Sequence, residues 1–374
     1  MLHPYRLLMG EAMKKNSTGT AALLLAAVLF LEVPVQAISA EKAVVMDPVG
    51  NTVVYEKNSL DPSLIASTTK IMTGLLVAET CNVLEQVRIP KEAVGVEGSS
   101  MYLQEGEVLT VQELLYGMML RSGNDAAAAL AIHCAGSIPQ FAVMMNQKAA
   151  ELGMKGSHFE NPHGLDGVHH ISTARDLGIL SCAAMKNPIF LKTVSTKQIR
   201  VGDRYLKNHN KLLWRYPGCD GVKTGYTKAA GRILVSSAVK DGRRLTAVTI
   251  NDPDDWNTHT ALLDQGFRRF QKKLLFHKGQ KLQDLPVEGG TGRTVPIFAG
   301  EDFSFFMAEG ERAVALLQGP GFVFAPVVKG ASAGEALVLV SGTVSGKIPV
   351  FYGRTVEQES EETHFLNRIF GGRS

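Results

Sequence analysis

The sequence predicts an α+β fold followed by a smaller all-β region. Three observations indicate this: β-rich runs paired across turns, segments with apolar residues at helical spacing, and a change to short β-like runs after about residue 273. With 374 residues, 45% of them hydrophobic and 20% charged, the chain is long enough for two domains with cores of their own. This composition excludes a disordered, collagen-like or coiled-coil protein.

The first 40 residues have the pattern of a secretory signal peptide. Basic residues precede an apolar run of 13 residues, and small residues follow that run as far as Ala37 and Ala40. An apolar run of this length, ended by Glu32, is too short to span a bilayer as a helix. We therefore expect an exported protein, with cleavage after Ala37 or Ala40 and a translation start at Met1 or Met13.

Hairpins and helices alternate in the region that follows. The β-rich runs Ala43–Asp47 and Thr52–Glu56 flank a Pro/Gly/Asn turn and predict a hairpin. Gly231–Asn251 predicts a second hairpin, because a Lys-Asp-Gly turn joins its two strands. Apolar residues at helical spacing predict helices at Thr68–Thr80, at Val111–Gly136 (two helices broken at Ser122–Asn124), at Pro139–Met154 and around Leu262 and Phe267.

The pattern of apolar residues changes toward the end of the chain. After about Lys273, short β-like runs alternate with Gly-rich turns, which predicts a separate all-β domain. Phe365, Leu366, Ile369 and Phe370 share one face of a predicted terminal helix, so we expect peripheral membrane contact there. The predicted organisation is a signal peptide at 1–40, a mixed domain at 41–275, an all-β domain at 276–357 and a short amphipathic tail at 358–374.

Three short motifs carry side chains suited to nucleophilic chemistry. In chain order they are Ser67-Thr-Thr-Lys70, Ser122-Gly-Asn124 and Lys223-Thr-Gly225. Ser67 opens a predicted helix, so Lys70 lies one turn further along the same face. A serine hydroxyl needs a neighbouring base, and a lysine serves when burial or a second cation lowers its pKa. The first motif alone is weak evidence, because Ser39-Ala-Glu-Lys42 has the same spacing inside the signal region.

The combination of the three motifs is far more specific. Their separations of 55 and 101 residues suit a site assembled from a helix, an interhelical loop and a strand. Lys223-Thr-Gly225 precedes the second predicted hairpin, which is consistent with an edge strand. At such an edge Gly225 lets a substrate backbone approach closely, and the free amides pair with a peptide as an added strand. In this order the motifs form the catalytic set of penicillin-binding proteins and serine β-lactamases.

Beyond the motifs, the sequence resembles the low-molecular-mass penicillin-binding proteins that are D-alanyl-D-alanine carboxypeptidases. Four segments carry the resemblance: Ala66–Leu76, Gly98–Ala131, Phe159–Leu177 and Tyr216–Ala238. A following all-β domain and a short amphipathic tail are similar to that family as well. The resemblance implies a β-lactamase/transpeptidase-like domain, in which an antiparallel sheet is flanked by helices.

The resemblance also implies the role of each motif residue. Ser67 is expected to be acylated by the penultimate D-Ala of a peptidoglycan stem peptide, with Lys70 as its base. Ser122 and Lys223 are expected to pass the proton to the leaving amine, and Asn124 to bind the substrate amide.

The lysine-containing motif is expected to complete the substrate site. Thr224 is expected to contact the terminal carboxylate, next to Gly225, and the backbone N–H groups of Ser67 and Tyr226 to form the oxyanion hole. Many relatives carry an arginine after the last hairpin strand that helps to hold this carboxylate. The corresponding stretch, Asn251–His259, contains none, so carboxylate binding is left to Thr224, Lys223 and a cation that the sequence does not place.

The same resemblance implies partners and a location. The expected partners are a stem peptide ending in D-Ala-D-Ala and β-lactam antibiotics, which would act as covalent inhibitors. No cofactor is expected, and a net charge of +3 gives no reason to expect nucleic acid. His163, His169 and His170 are interpreted as loop structure rather than a metal site, and four scattered cysteines do not suggest a disulfide scaffold. The enzyme is expected at the outer face of the cytoplasmic membrane, in the cell wall or outside the cell.

Three alternatives stay open from the sequence. A secreted serine β-lactamase shares the nucleophile chemistry, but class A enzymes carry a Glu-x-x-Leu-Asn segment that is missing between Ser122 and Lys223. β-Lactamases also lack a trailing β domain. A DD-endopeptidase or transpeptidase would use the same residues as the carboxypeptidase. A catalytically silent wall-binding protein is opposed by the intact set of motifs.

Overall fold

The computed structural model of the protein describes residues 38–359. The predicted signal peptide lies outside the described residues except for its last three positions, and so do both candidate start methionines. The amphipathic tail lies outside them from residue 360 onward.

Between Lys42 and Phe267 the chain alternates strands and helices. The strands are β1 (Lys42–Asp47), β2 (Thr52–Lys57), β3 (Gln86–Arg88), β4 (Val108–Thr110), β5 (Gln198–Val201), β6 (Arg204–Lys207), β7 (Cys219–Thr227), β8 (Gly231–Lys240) and β9 (Arg243–Ile250). The helices are α1 (Lys70–Thr80), α2 (Val111–Leu120), α3 (Asn124–Ala135), α4 (Ile138–Leu152), α5 (Ala174–Ala184), α6 (Pro188–Ser195), α7 (Leu212–Arg215) and α8 (Asp255–Phe267), with short 3-10 helices at Ala66–Thr69 and Lys91–Ala93.

The central sheet is antiparallel, with strand order β2-β1-β9-β8-β7. Both hairpins predicted from the sequence are confirmed, as β1–β2 and β8–β9. Helix α5 packs against β1 and β9, and α8 packs against β8 and β9. The strand that carries the Lys-Thr-Gly motif, β7, lies at the edge of this sheet and packs against the 3-10 helix that contains Ser67.

A helical cluster beside the sheet positions the other two motifs. Helix α3 packs against α1, α2 and α4, and its residues Ala126–Ala131 are fully buried. The helices predicted from apolar spacing are confirmed, but α1 begins at Lys70 because the four residues before it wind as a tighter 3-10 helix. Within residues 38–359 no single helix is long and apolar enough to cross a membrane, and α3 with α4 qualifies only as a pair bent by 83°.

A disulfide ties this helical cluster together. Cys81, directly after α1, is bonded to Cys134 near the end of α3, with 6.5 Å between their Cα atoms. The sequence left the pairing of the cysteines open, because two positions 53 residues apart give no local signal. Cys182 and Cys219 are free thiols.

The rest of the described chain is β-structure, as predicted. Its strands are β10 (Gln271–Phe276), β11 (Lys281–Glu288), β12 (Thr294–Ala299), β13 (Phe303–Met307), β14 (Ala313–Leu317), β15 (Val323–Phe324), β16 (Ser332–Val340) and β17 (Thr343–Tyr352). Six of them form a sheet of order β14-β16-β17-β12-β11-β15, while β10 pairs with β13. Alternating positions such as Val295, Ile297, Ile348 and Val350 are fully buried and form its core.

One buried arginine connects the two regions. Arg243, at the start of β9, forms ion pairs with Asp47 of β1 and with Glu311 of the C-terminal region. Its guanidinium lies 4.4 Å from the ring centre of Phe270 and 5.7 Å from that of Phe305. The side chain of Arg243 is only 2% exposed, so its buried charge depends on these carboxylate partners for compensation.

Candidate active site

Ser67 lies in the 3-10 helix that leads into α1, and Lys70 is the first residue of α1. The Nζ atom of Lys70 is 3.0 Å from the Oγ atom of Ser67. It also donates hydrogen bonds of 2.6 Å to Oδ1 of Asn124 and to the carbonyl oxygen of His163. Three hydrogen-bond partners, one of them the serine hydroxyl, therefore fix a fully buried amine in place.

The environment of Lys70 favours the neutral amine. Burial is the largest cause that lowers the pKa of Lys70 well below its usual range, and the positive charge of Lys223 lowers it further. The carboxylate of Asp125 acts in the opposite direction but does not outweigh the other two. A neutral amine within hydrogen-bond distance of Ser67 is placed to accept the hydroxyl proton.

The Ser-Gly-Asn motif forms the break between α2 and α3. Ser122 has a φ of 62°, a left-handed conformation that costs a residue other than glycine about 1–3 kcal/mol. Asn124, the first residue of α3, donates from its backbone N–H to the carbonyl of Ser99 at 2.7 Å, and its side-chain amide donates to the carbonyl of Glu97. These contacts hold the Oδ1 atom of Asn124 against Lys70.

Asp125, which was not among the predicted site residues, supports this loop. Its carboxylate is buried and accepts hydrogen bonds from the Ser100 hydroxyl at 2.6 Å and from the backbone N–H groups of Met101 and Leu103 at 3.0 and 3.1 Å. The segment 99–103 is thereby held at the start of α3. Asp125 could have been predicted as a supporting residue, because it is an acidic residue in the first turn of a helix, directly after the Ser-Gly-Asn motif.

The third motif brings a second lysine to the same place. Nζ of Lys223 donates to Oγ of Ser122 at 3.1 Å and to the carbonyl oxygen of Thr224 at 2.9 Å. Burial lowers the pKa of Lys223 to about 7. A Cβ atom at Gly225 would lie 3.3 Å from the backbone nitrogen of Thr68, so a larger residue would crowd the turn that contains Ser67.

A cavity of about 350 Å³ opens over these groups. Its lining includes Ser67, Ser122, Thr224, Gly225, Tyr226 and Arg232. Tyr226 is two-thirds exposed at its mouth. Lys70 and Lys223 lie beneath this lining and contact it through their hydrogen bonds to Ser67 and Ser122. Asn124 lies beneath it as well, hydrogen-bonded to Lys70. The structure thus brings all eight predicted site residues together.

Arg232, which was not among the predicted site residues, is a cation in this cavity. It stands on β8 opposite Tyr226 of β7, and its Nη2 atom lies 2.7 Å from both carboxylate oxygens of Asp255. The Asp255 side chain is 4% exposed, whereas that of Arg232 is 44% exposed. The segment Asn251–His259 contains no arginine of its own. It supplies the carboxylate of Asp255, which orients Arg232 from the neighbouring strand. Arg232 could have been predicted from its position on the strand next to the one that carries the Lys-Thr-Gly motif.

The histidine loop contacts Lys70 and its neighbour Thr69. Nδ1 of His170 accepts a hydrogen bond from the backbone N–H of Glu160, so its Nε2–H is the group that donates to the Thr69 hydroxyl at 2.8 Å. Burial lowers the pKa of both His163 and His170 to about 4. Within residues 38–359 no three His, Cys, Asp or Glu side chains are arranged to hold a metal ion. The histidines there position Lys70 and its turn.

Comparison with known proteins agrees with this geometry. The family model described as D-alanyl-D-alanine carboxypeptidase matches residues 30–254, which contain all three motifs. The chain belongs to the D-alanyl-D-alanine carboxypeptidase family. A second model, the C-terminal domain of penicillin-binding protein 5, matches residues 270–358. The predicted family and fold class are confirmed, and the β-lactamase alternative is not favoured.

Relatives of this carboxypeptidase family match along most of the chain. D-alanyl-D-alanine carboxypeptidase DacF of Bacillus subtilis is 32% identical over 89% of both chains. DacD of Escherichia coli is 33% identical over 72% of this chain and 73% of its own. Penicillin-binding protein 5 of Haemophilus influenzae superposes with a TM-score of 0.61 at 28% identity, covering 86% of this chain and 98% of its own. PBP3 of Streptococcus pneumoniae, described as a peptidoglycan synthesis regulatory factor, gives 0.67 at 25% identity, with 86% and 100% covered.

Proposed function

We propose that the protein is a serine-type D-alanyl-D-alanine carboxypeptidase that removes the terminal D-Ala from peptidoglycan stem pentapeptides during wall maturation. The observation that carries the proposal is the buried Lys70 amine, 3.0 Å from the Ser67 hydroxyl in a cavity bordered by an open edge strand. Family membership supports the choice of substrate.

Acylation uses the first motif and the edge strand. Neutral Lys70 takes the hydroxyl proton of Ser67, and the Oγ atom attacks the carbonyl carbon of the penultimate D-Ala. The backbone N–H groups of Ser67 and Tyr226 stabilise the negative charge that develops on the carbonyl oxygen. The acyl part of the substrate lies along β7, where Asn124 binds its amide.

Departure of D-Ala uses the second lysine and the cation on β8. The hydrogen bond between Lys223 and Ser122 provides the route by which the leaving amine receives a proton. Thr224 and Arg232 bind the terminal carboxylate, and Asp255 holds the guanidinium in place. Water then hydrolyses the ester on Ser67. A β-lactam would acylate the same serine and inhibit the enzyme.

The place of action follows from several features together. The predicted signal peptide and the disulfide between Cys81 and Cys134 both fit an exported protein, because disulfides persist in oxidising compartments. The amphipathic tail would add a weak, reversible contact with the outer face of the membrane. Deleting residues 360–374 and fractionating cells tests that contact, and equal partitioning of truncated and full-length protein would exclude it.

The direct test is mass analysis of the products formed from a stem pentapeptide ending in D-Ala-D-Ala. We expect loss of one alanine by the wild-type enzyme and none by the Ser67→Ala variant. A matched peptide ending in L-Ala should stay intact. Rapid turnover of penicillin with no release of D-Ala would instead support the β-lactamase alternative.

A further inference from the structure

A buried histidine joins the helix that carries Asp255 to the central sheet. His259 lies on α8 one turn after Asp255, and the side chains of His259 and of its two partners are fully buried. Its Nδ1 atom is 2.6 Å from the Oγ atom of Ser236 on β8, and its Nε2 atom is 3.0 Å from the Oγ1 atom of Thr249 on β9. None of these three residues has a part in the proposed removal of D-Ala.

The histidine contact lies beside the ion pair of Arg232, the residue proposed to bind the substrate carboxylate. Arg232 and Ser236 are four residues apart on β8 and therefore face the same side of the sheet. Asp255 and His259 are four residues apart on α8 and share one face of that helix. Two polar pairs, Arg232–Asp255 and Ser236–His259, thus join the same strand to the same helix.

The contacts further along α8 are of a different kind. The buried side chains beyond His259 include Leu262, Leu263 and Phe267. Apolar packing has no preferred direction, so a helix held by such contacts alone can rotate or slide slightly at little cost. A hydrogen bond weakens steeply when its angle changes. The two bonds of His259 therefore define the position of α8 on the sheet more narrowly than the apolar contacts do.

The imidazole of His259 can satisfy both partners without carrying a charge. Burial lowers the pKa of His259 to about 3, so the ring is neutral near pH 7. A neutral imidazole has one N–H donor and one acceptor nitrogen, while each hydroxyl serves in either role. Both ring nitrogens are therefore paired with Ser236 and Thr249 in either tautomer.

We propose that His259 is a positioning residue for the binding of the substrate's terminal carboxylate. It fixes the register of α8 on the sheet, so that Asp255, about 6 Å away along the helix axis, meets the guanidinium of Arg232. The inference rests on the proposed function, in which Arg232 binds that carboxylate, and adds the contact that keeps Arg232 and Asp255 aligned. His259 is fully buried, so it acts through Asp255 and touches no substrate atom.

The test variant replaces the whole contact by apolar side chains, as His259→Leu/Ser236→Ala/Thr249→Val. Removing all three polar groups together leaves none of them buried without a partner, and the side-chain volumes change little. The thermal midpoint of unfolding should therefore shift by less than about 5 °C. Ser236→Ala alone is a second variant, which removes only the hydrogen bond to β8.

Tyr216→Phe is the matched control on the same helix. It removes a 2.8 Å hydrogen bond from Tyr216 to Asp264, an exposed residue that follows Asp255 by nine positions. At a rise of 1.5 Å per residue, Asp264 is about 14 Å from Asp255 along the helix axis. Loss of this bond should therefore have little influence on where Asp255 lies.

The readout is the ratio of kcat/KM for a peptide with a terminal carboxylate to that for the same peptide with a carboxamide. A neutral hydrogen bond is worth a factor of about two to ten. We therefore expect the ratio to fall at least twofold in Ser236→Ala and at least about fivefold in the triple variant, and to stay near the wild-type value in Tyr216→Phe. A general loss of stability would lower both kcat/KM values alike and leave their ratio unchanged.

A second comparison places the triple variant in an Arg232→Gln background. If His259 acts through Asp255 and Arg232, the triple change should alter the ratio by less than twofold once the guanidinium is absent. A further fall of the ratio in that background would overturn the proposal, because His259 would then act by another route.

A folded triple variant that keeps the wild-type ratio, while Arg232→Gln loses it, would overturn the role of His259 and leave the proposed function standing. If the triple variant does not fold, an unchanged ratio in Ser236→Ala overturns that role in the same way. Failure of the wild type to release D-Ala would instead overturn the proposed function itself.

Discussion

Replacing Arg232 by glutamine tests how the enzyme holds the terminal carboxylate of its substrate. Two contacts of 2.7 Å with Asp255 orient the guanidinium, and its 44% exposure leaves other N–H donors directed to the cavity and solvent. A hydrogen bond to a charged group contributes about 1.5–3 kcal/mol. We therefore expect kcat/KM for a D-Ala-D-Ala peptide to fall by a factor of roughly 10 to 150.

The assay compares two substrates that differ only at the terminal group, a carboxylate and a carboxamide. Arg232→Gln should lower kcat/KM for the carboxylate and leave the carboxamide nearly unaffected, so that the enzyme's preference between them disappears. The double variant Arg232→Gln/Asp255→Asn controls for stability, because the single change leaves a carboxylate that is 4% exposed without its cation. Equal losses on both substrates, or no loss on the carboxylate, would show that Arg232 is not the carboxylate ligand.

Three further predictions follow from the buried charges and the disulfide. Acylation should accelerate with rising pH as Lys70 loses its proton and slow above about pH 7 as Lys223 loses its charge. In a stopped-flow acylation profile, Lys223→Ala should move the rising limb to higher pH as well as reduce the rate, and a limb that stays in place would leave burial as the cause of the low Lys70 pKa. Cys81→Ala/Cys134→Ala should lower the free energy of unfolding by about 4 kcal/mol, from a loop of 53 residues, and denaturant titration showing no change would contradict this. Arg243→Met should cost about 3–5 kcal/mol in the same titration, because the buried carboxylate of Asp47 and the partly buried one of Glu311 lose their cation, and a neutral effect would refute that interpretation.

Local patterns allowed most of the fold to be predicted from the sequence. The turn chemistry at the Lys-Asp-Gly sequence predicted the β8–β9 hairpin, and the break at Ser122–Asn124 predicted where α2 ends and α3 begins. Both patterns depend on only a few neighbouring residues, so they can be recognised in the sequence without knowledge of the fold. The start of α1 was two residues off, because a 3-10 turn and an α-helix bury the same apolar positions.

Contacts between distant segments could not be predicted in this way. The pairing of Cys81 with Cys134 depends on how α1 and α3 pack. The hydrogen bond from Lys70 to the carbonyl of His163 joins positions 93 residues apart. The role of Asp255 depends on β8 and α8 meeting at the cavity. Each of these contacts requires the folded sheet and helices before the partners approach.

The proposed mechanism depends on Ser67 as the nucleophile, activated by Lys70. The most direct measurement is peptide mass mapping after incubation with a labelled penicillin. We expect one covalent adduct on the peptide that contains Ser67, and no adduct in the Ser67→Ala variant. An adduct on Ser122, or labelling of Ser67→Ala equal to that of the wild type, would contradict it.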